Sequence, residues 1–156
     1  STELLKMTYK NFYSVLDKIA VFLQAYLNLP IKVHQADFAS IWTDKKGRLR
    51  EGFMANPQNL SLLALYNVKL DVYGSSSVNY VIDEQTKDLK RIRNFIEHKV
   101  IVIRDGEMHY DDYQLQISRE ELAINTVRLA QLVRCAIIYL CNFVLHFFSS
   151  KSFLIS

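Results

Sequence analysis

The feature that most constrains the fold is a long apolar segment near the C-terminus, periodic from Leu122 to about Phe148. The stretch SREE at 118–121 precedes it and reads as a capping box, in which serine and glutamate satisfy free backbone N–H groups at a helix start. The second half of the apolar segment, Cys135–Phe148, is apolar on all sides but shorter than the roughly 20 residues of a membrane span. Because a helix with no polar face must be covered on every side, we predict a final helix buried by its own bundle or by a second subunit, and no membrane.

Three further segments carry apolar residues at helical spacing, which predicts three more long helices. They cover Thr2–Leu27, a stretch opened by Pro57 and closed at Gly74, and about Val81–Glu97. A shorter helix is predicted for ADFASIW at 36–42. Only four Gly and two Pro against nine Tyr and nine Phe also favour long elements with few tight turns. The predicted fold is therefore all-α, a bundle of four or five helices with a long C-terminal helix.

The connection before the last helix has strand character. Strand-forming apolar residues recur at every second position, at Val100 and Val102 and then at Tyr113, Leu115 and Ile117, on either side of an Asp-Gly turn signal at 105–106. Such alternation around this dipeptide is typical of a hairpin. We therefore predict a small hairpin in the connection.

Length and composition indicate one domain over residues 1–156, with an N-terminal helix and loop at 1–56 and a core at 57–148. A net charge of +3 permits a local basic patch but does not by itself indicate nucleic-acid binding. Cys135 and Cys141 lie in an apolar run without a C-x-x-C pattern, which favours free thiols in a reducing compartment. With no targeting segment visible, we expect a cytoplasmic protein, and the missing initial Met fits a piece of a longer chain.

The stretch RIRNFIEHK at 91–99 sets three polar groups into an otherwise amphipathic helix. At 100° per residue Arg93 lies at the edge of the buried stripe, whereas Asn94 and His98 form an i, i+4 pair on the opposite flank. Arg93 and His98 are then about 140° apart, which is awkward for a site within one helix. The ordinary alternative is a solvated helix end in which Arg93 and Glu97 form a surface ion pair. Residue types and spacing alone favour that alternative.

Other candidate sites have ordinary explanations. His109, Asp111 and Asp112 have the chemistry of metal ligands, but a solvated loop rich in turn formers explains the same residues, so no metal site is predicted. The glycines are scattered and form neither G-x-G-x-x-G nor G-x-x-x-x-G-K, which argues against the common phosphate-binding loops. The basic run KKGRLR at 45–50 is interpreted as a solvated turn, and no cofactor is predicted.

An arginine, four residues and a histidine, with a polar residue directly after the arginine, resemble the signature of the HEPN superfamily near the end of a bundle helix. The order of elements is similar to that of bacterial HEPN families: a helix ending RNFIEHK, a variable connection, and SREELAINTVRLAQLVRCAIIYL as a long final helix. The resemblance covers roughly residues 60–148. It implies a metal-independent endoribonuclease in toxin–antitoxin or anti-phage defence. It also implies a homodimer in which the motifs of two subunits meet in one composite site.

The resemblance also implies roles for the motif residues. His98 would act as general acid or base while the ribose 2′-hydroxyl of RNA attacks the phosphate, Arg93 would hold that phosphate, and Asn94 would assist. Binding of the substrate, or tuning of the site's charge, is expected from Lys87, Lys90, Arg91, Glu97 and Lys99. An antitoxin or a fused sensor domain is an implied further partner. Two alternatives stay open: a non-catalytic HEPN-like dimerisation or nucleotide-binding module, and an unrelated helical interaction domain that resembles the family by accident.

Overall fold

The computed structural model describes residues 1–54, 59–74, 84–98, 100–103, 109–110 and 114–152, without the side chains of Met54, His98, Val100, His109, Tyr110 and residues 147–152. The helices in this part of the chain are α1 (Thr2–Tyr26), α2 (Glu51–Met54), α3 (Leu60–Tyr73), α4 (Glu84–His98) and α5 (Arg119–Ser152). A 3₁₀ helix covers Val33–Gln35, and the strands are β1 (Val100–Ile103), β2 (His109–Tyr110) and β3 (Gln114–Ile117). The prediction of an all-α fold with four or five helices and a long final helix is confirmed.

The start of α5 is fixed by the capping box that the sequence predicts. The backbone N–H of Glu121 donates to Ser118 Oγ at 3.0 Å, and the backbone N–H of Ser118 donates to Glu121 Oε2 at 3.1 Å. The two side chains thus satisfy N–H groups that a helix start leaves without intrahelical partners.

The start of α3 differs from the prediction, while its end agrees. The helix begins at Leu60 because the Asn59 side-chain oxygen accepts from the N–H groups of Ser61 and Leu62, both at 3.1 Å. Asn59 is therefore the N-cap, and Pro57, the predicted opening residue, lies outside the described residues. After the helix Gly74 takes a φ of +73°, a left-handed conformation that glycine adopts without a Cβ clash.

The short helix predicted at 36–42 is wrong, since these residues form turns after the 3₁₀ helix. Asp37 accepts the backbone N–H groups of Ala39 and Ser40, each at 3.0 Å, as the first residue of a helix would. The helical ladder does not continue, because the carbonyl oxygen of Phe38 accepts the indole N–H of Trp42 at 2.9 Å where a helix would place the backbone N–H of that residue. Asp17 of α1 accepts the backbone N–H of Phe38 at 3.0 Å and holds the turn against α1.

The predicted strands are present, but their pairing differs from a simple hairpin. The sheet order is β1-β3-β2, with β1 parallel and β2 antiparallel to β3. In this register Ile101 lies opposite Leu115, and Tyr110 lies opposite the same Leu115 from the other side. The antiparallel neighbour of β3 is thus the short β2, and β1 takes the remaining edge in parallel. The Asp-Gly turn signal at 105–106 lies outside the described residues.

The fold divides into two compact units. Unit 1 comprises residues 1–14 and 70–132, and unit 2 comprises 15–69 and 133–156. Unit 1 has an apolar core in which α1, α4 and the small sheet contribute the following buried side chains: Tyr9, Tyr13, Leu89, Ile92, Phe95, Leu115 and Ile117. This core holds the buried side of α4, the helix that carries the RNFIEH motif.

Unit 2 is built around the single tryptophan of the chain, Trp42, which is 1% exposed. Its ring centroid lies 4.7 Å from that of Phe53, and 5.6 Å from those of Phe38 and Tyr66. The indole N–H donates to the carbonyl oxygen of Phe38 at 2.9 Å, so the polar edge of the ring is satisfied as well.

The final helix α5 is apolar on two sides, and only one of them is buried within the chain. The buried side is formed by Leu122, Thr126, Leu129, Val133, Ala136 and Phe143. The exposed side carries Ile124, Val127, Ile137, Ile138 and Leu145, which are 45–64% exposed. Of the two predicted kinds of cover, the chain's own bundle leaves this side of the described helix exposed. Cover by a second subunit remains a prediction.

By length and composition alone, the stretch Arg119–His146 of α5 can cross a membrane, and no other described helix can. The length argument against a span, which rested on Cys135–Phe148, therefore does not hold. A core helix of a soluble protein meets the same two criteria, although only a minority of the most apolar window is buried here. The helix also carries both cysteines, Cys135 and Cys141, as free thiols.

Candidate functional site: the end of helix α4

Helix α4 presents the RNFIEH motif near its C-terminal end. Its inner side is fixed by three buried residues, Leu89, Ile92 and Phe95, as the apolar periodicity predicts. Arg93 lies at the border of this side and is partly buried, with 27% of its side chain exposed, and Asn94 is exposed. The exposure of the two side chains thus confirms the predicted helix faces, with Arg93 at the edge of the buried stripe and Asn94 outside it.

The guanidinium of Arg93 has three close partners. Its Nε donates to Glu97 Oε1 at 3.1 Å, so the i, i+4 ion pair of the ordinary alternative is present. In addition, the central guanidinium carbon lies 4.8 Å from the ring centroid of Tyr13 and 5.0 Å from that of Tyr73. These are cation–π distances, so the arginine is more than a solvated surface residue.

The surroundings of Arg93 favour its charged form. Partial burial lowers the pKa of Arg93, but the nearby oxygens of Tyr73, Glu97 and Tyr13 raise it by more, so the net shift is upward. A guanidinium that stays charged and is planar binds two phosphate oxygens at once. Arg93 therefore provides a fixed positive charge at the end of α4.

Tyr13, one of the two tyrosines beside Arg93, is itself anchored to α4, together with its neighbour Tyr9. The hydroxyls of Tyr9 and Tyr13 both donate to the carbonyl oxygen of Leu89, at 2.9 and 3.3 Å. Burial raises the pKa of Tyr13 to about 12 and that of Tyr9 well above its usual value, so both phenols remain donors near neutral pH. The ring of Tyr13 then meets the edge of Tyr73, with 5.8 Å between centroids. Residues of α1 and α3 thus reach the motif on α4.

A basic cleft lies next to the motif on the exposed side of α4. Its volume is about 250 Å³, and it is lined by Tyr73, Thr86, Lys87, Lys90, Arg91 and Asn94. Three of these residues are cations and none is a carboxylate. Two of the cations have acidic neighbours outside the lining, because Lys87 pairs with Glu84 at 2.7 Å and Arg91 with Asp88 at 3.5 Å. The cleft brings Asn94 together with three of the predicted substrate-binding residues.

The remaining predicted site residues are placed in part. His98 is the last residue of α4, so its backbone lies one turn beyond Asn94, but its side chain lies outside the described residues. Lys99 lies outside them altogether. Glu97 is 35% exposed, and its carboxylate contacts Arg93. The structure therefore places Arg93, Asn94 and Glu97 in the C-terminal half of α4, and the cleft lysines Lys87 and Lys90 two turns and one turn before Asn94 on the same helix.

For the metal-site alternative at MHYDDY, the side chain of His109 and all of Asp111 and Asp112 lie outside the described residues. Within the described ranges no three His, Cys, Asp or Glu side chains cluster as a metal site needs.

Two residues of this site were missed by the sequence analysis. Tyr13 lies in the first predicted helix and Tyr73 at the end of the next long one, far from the motif in sequence. Helical spacing relates Tyr13 to Leu16 in the same helix but does not show which residue its ring meets. The abundance of tyrosine was a further signal, and neither signal was specific.

The chain has a helical fold with a long final helix. The preceding long helix ends with an arginine, a polar residue and a histidine. Together these features define a HEPN-type domain. The sequence profile of the family described as LA2681-like HEPN matches residues 1–146, and the chain belongs to this family. The match includes residues 1–56, which were predicted only as a helix and a loop. An accidental resemblance in an unrelated interaction domain is therefore excluded. No curated protein and no solved structure matches the chain.

Proposed function

We propose that the chain is a metal-independent endoribonuclease that cuts RNA at a composite site of a homodimer, in toxin or anti-phage defence. The observation that carries the proposal is the geometry of Arg93, a partly buried guanidinium held by two rings and a carboxylate, in the RNFIEH motif of a HEPN family member. An ordinary surface ion pair has no need of the two aromatic contacts.

The proposed reaction needs only groups that the motif supplies. A base removes the proton of the ribose 2′-hydroxyl, the 2′-oxygen attacks the adjacent phosphorus, and the 5′-oxygen leaves with a proton from an acid. The products are a 2′,3′-cyclic phosphate and a 5′-hydroxyl. Histidine can serve as base or acid near neutral pH, so His98 takes this role. Arg93 stabilises the negative charge that develops on the phosphate, and Asn94 hydrogen-bonds the phosphate or orients His98.

A homodimer removes the geometric difficulty of the motif. Arg93 and His98 are about 140° apart on one helix, so a shared cleft in which each subunit supplies its own set lets them act together. The exposed apolar side of α5 supports a second subunit, since Ile124, Val127 and Ile138 are 45–60% exposed within the chain. A nuclease that acts on cellular RNA also needs restraint, which is the proposed role of an antitoxin or a fused sensor domain. RNA as substrate and the free cysteines favour the cytoplasm.

One observation favours a second candidate, a non-catalytic HEPN-like dimerisation or nucleotide-binding module. The guanidinium of Arg93 packs against the rings of Tyr13 and Tyr73 and pairs with Glu97, and these contacts give the residue a structural role that requires no substrate.

A cleavage assay separates the two candidates. The native chain is incubated in EDTA with an end-labelled single-stranded RNA, and with the same RNA carrying 2′-deoxyribose at the mapped cleavage position. We expect cleavage of the first, a 2′,3′-cyclic phosphate end, and no cleavage at the deoxy position, because the nucleophile is missing there. If varied RNAs stay intact while the folded protein still dimerises, the nuclease is wrong and the non-catalytic module replaces it.

The basic cleft gives a separate prediction about RNA binding. Each phosphate contact on a single strand contributes about 0.7 to the slope of log affinity against log salt. Replacing Lys87 and Lys90 by glutamine is therefore expected to reduce that slope by about 1.4. The measurement is fluorescence anisotropy of a 2′-O-methyl RNA, which binds but offers no free 2′-hydroxyl.

The matched control for the cleft is a double replacement of Lys18 and Lys46 by glutamine. Both lysines are exposed and lie outside the cleft, and the change in net charge is the same. An equal reduction of the salt slope in the two double variants would show that overall charge, not the cleft, determines RNA binding.

A further inference from the structure

The Arg93 guanidinium is held by three contacts from its own chain. One ring lies 4.8 Å away and another 5.0 Å away, and its Nε donates to a carboxylate at 3.1 Å. An arginine side chain has several rotatable bonds, and a catalytic arginine must lose that freedom when it binds a phosphate. Here three contacts restrict the side chain before any substrate arrives.

We infer that Tyr13, Tyr73 and Glu97 are positioning residues, which hold the Arg93 guanidinium in the orientation that receives the scissile phosphate. This inference rests on the proposed nuclease and extends it to residues that orient the arginine. We call the group of three the arginine clamp.

The arginine clamp is itself rigid. Tyr13 is 3% exposed, its hydroxyl donates to the carbonyl oxygen of Leu89 at 3.3 Å, and its ring lies 5.5 Å from that of Tyr9. Tyr73 is the last residue of α3 and meets the Tyr13 ring at a centroid distance of 5.8 Å. The rings that face Arg93 are therefore held by α1, α3 and the backbone of α4.

The clamp leaves the arginine able to bind an anion. The guanidinium has five N–H donors, and the described contact with Glu97 uses the one on Nε. The donors on the two terminal nitrogens form the fork that matches two phosphate oxygens. With 27% of its side chain exposed, Arg93 is held without being enclosed. A lysine has no planar face for the two rings and no second fork, so it cannot replace the arginine.

Glu97 differs from the tyrosines because its charge opposes that of RNA. As a positioning residue it orients Arg93, which favours turnover. As an anion close to the phosphate it weakens binding of the substrate. Replacing Glu97 by glutamine is therefore expected to lower kcat and KM together. A merely structural residue has no reason to change these two constants in this way.

The experiment combines kinetics with an NMR signal of the arginine. Cleavage of RNA is measured for the native chain, Tyr73→Phe, Tyr73→Leu and Glu97→Gln, and the Nε–Hε signal of Arg93 is assigned by its absence in Arg93→Lys. Phenylalanine keeps the ring, so Tyr73→Phe is expected to retain kcat within about twofold. Leucine removes the ring, so kcat is expected to fall about tenfold, and the arginine signal should lose its ring-current shift and exchange faster with water.

The outcomes separate the clamp from the nuclease. If the native chain cuts RNA and Tyr73→Leu keeps both the native kcat and the native arginine signal, the clamp is wrong and the nuclease stands. If Tyr73→Leu does not fold, Glu97→Gln on the exposed side of α4 decides, and unchanged kcat and KM there overturn the clamp. If the native chain cuts no RNA while its arginine signal is shifted and protected, the nuclease is wrong and the rings have only a structural role.

Discussion

Replacing His98 by alanine is expected to lower the rate of RNA cleavage by about 10²–10⁴, the usual contribution of a general acid or base. In the proposed reaction a proton leaves the 2′-hydroxyl and another reaches the 5′-oxygen, and histidine is the side chain of the motif that can carry it near neutral pH. The alanine variant keeps the backbone of α4 but has no titrating group. Single-turnover cleavage of a labelled RNA, at enzyme concentrations above KM, measures this effect without a contribution from product release.

The matched control for this prediction is His34→Ala. His34 is exposed in the 3₁₀ helix and lies outside the motif, so its replacement should leave the rate unchanged. Far-ultraviolet circular dichroism should be the same for both variants and the native chain, because neither substitution removes a buried side chain that the structure describes. Equal rates for all three proteins would mean that another residue, or a contaminating nuclease, cuts the RNA.

The helices could be predicted where the signals are local. The capping box at 118–121 combines hydrogen-bonding groups three residues apart, so its geometry follows from the sequence alone. The same holds for α1, whose apolar periodicity runs without a break to Tyr26, and for the Gly74 cap of α3. In these places tertiary contacts agree with local propensity, so nothing overrides the pattern.

The errors arose where distant residues decide the local structure. The turns at 36–42 depend on Asp17, which accepts the N–H of Phe38 from another element of the chain. The strand order depends on β2, which is only two residues long and gives no periodic signal of its own. An alternating pattern identifies a strand, but it does not show which neighbour the strand pairs with or in which direction.

The candidate site follows the same division. The Arg93–Glu97 pair is an i, i+4 contact within one helix, and the sequence predicts it from spacing alone. The rings of Tyr13 and Tyr73 reach Arg93 from other helices, and no spacing rule connects them to the motif. The sequence thus predicts the charged groups of the site, whereas the contacts that fix their orientation require the structure.

Replacing Trp42 by alanine is expected to lower the free energy of unfolding by about 3–5 kcal/mol, because it removes the largest fully buried side chain. Three rings, those of Phe38, Phe53 and Tyr66, would lose their contact with the indole, and the Phe38 carbonyl would lose its donor. An open cavity of about 110 Å³, lined in part by the exposed Leu49 and Leu63, lies beside the indole. Deletion of the buried ring leaves a space that the surrounding side chains fill only in part, and this adds to the loss of transfer free energy.

Urea unfolding followed by circular dichroism measures this loss without the tryptophan as a fluorescent probe. Leu63→Ala is the matched control, because Leu63 lines the same cavity but is 54% exposed, and its replacement should cost about 0.5 kcal/mol or less. The difference in free energy of unfolding between the two variants gives the contribution of the buried indole beyond that of an exposed neighbour. If Trp42→Ala costs no more than Leu63→Ala, the ring cluster does not stabilise unit 2, and the helices that surround it must be held by other contacts.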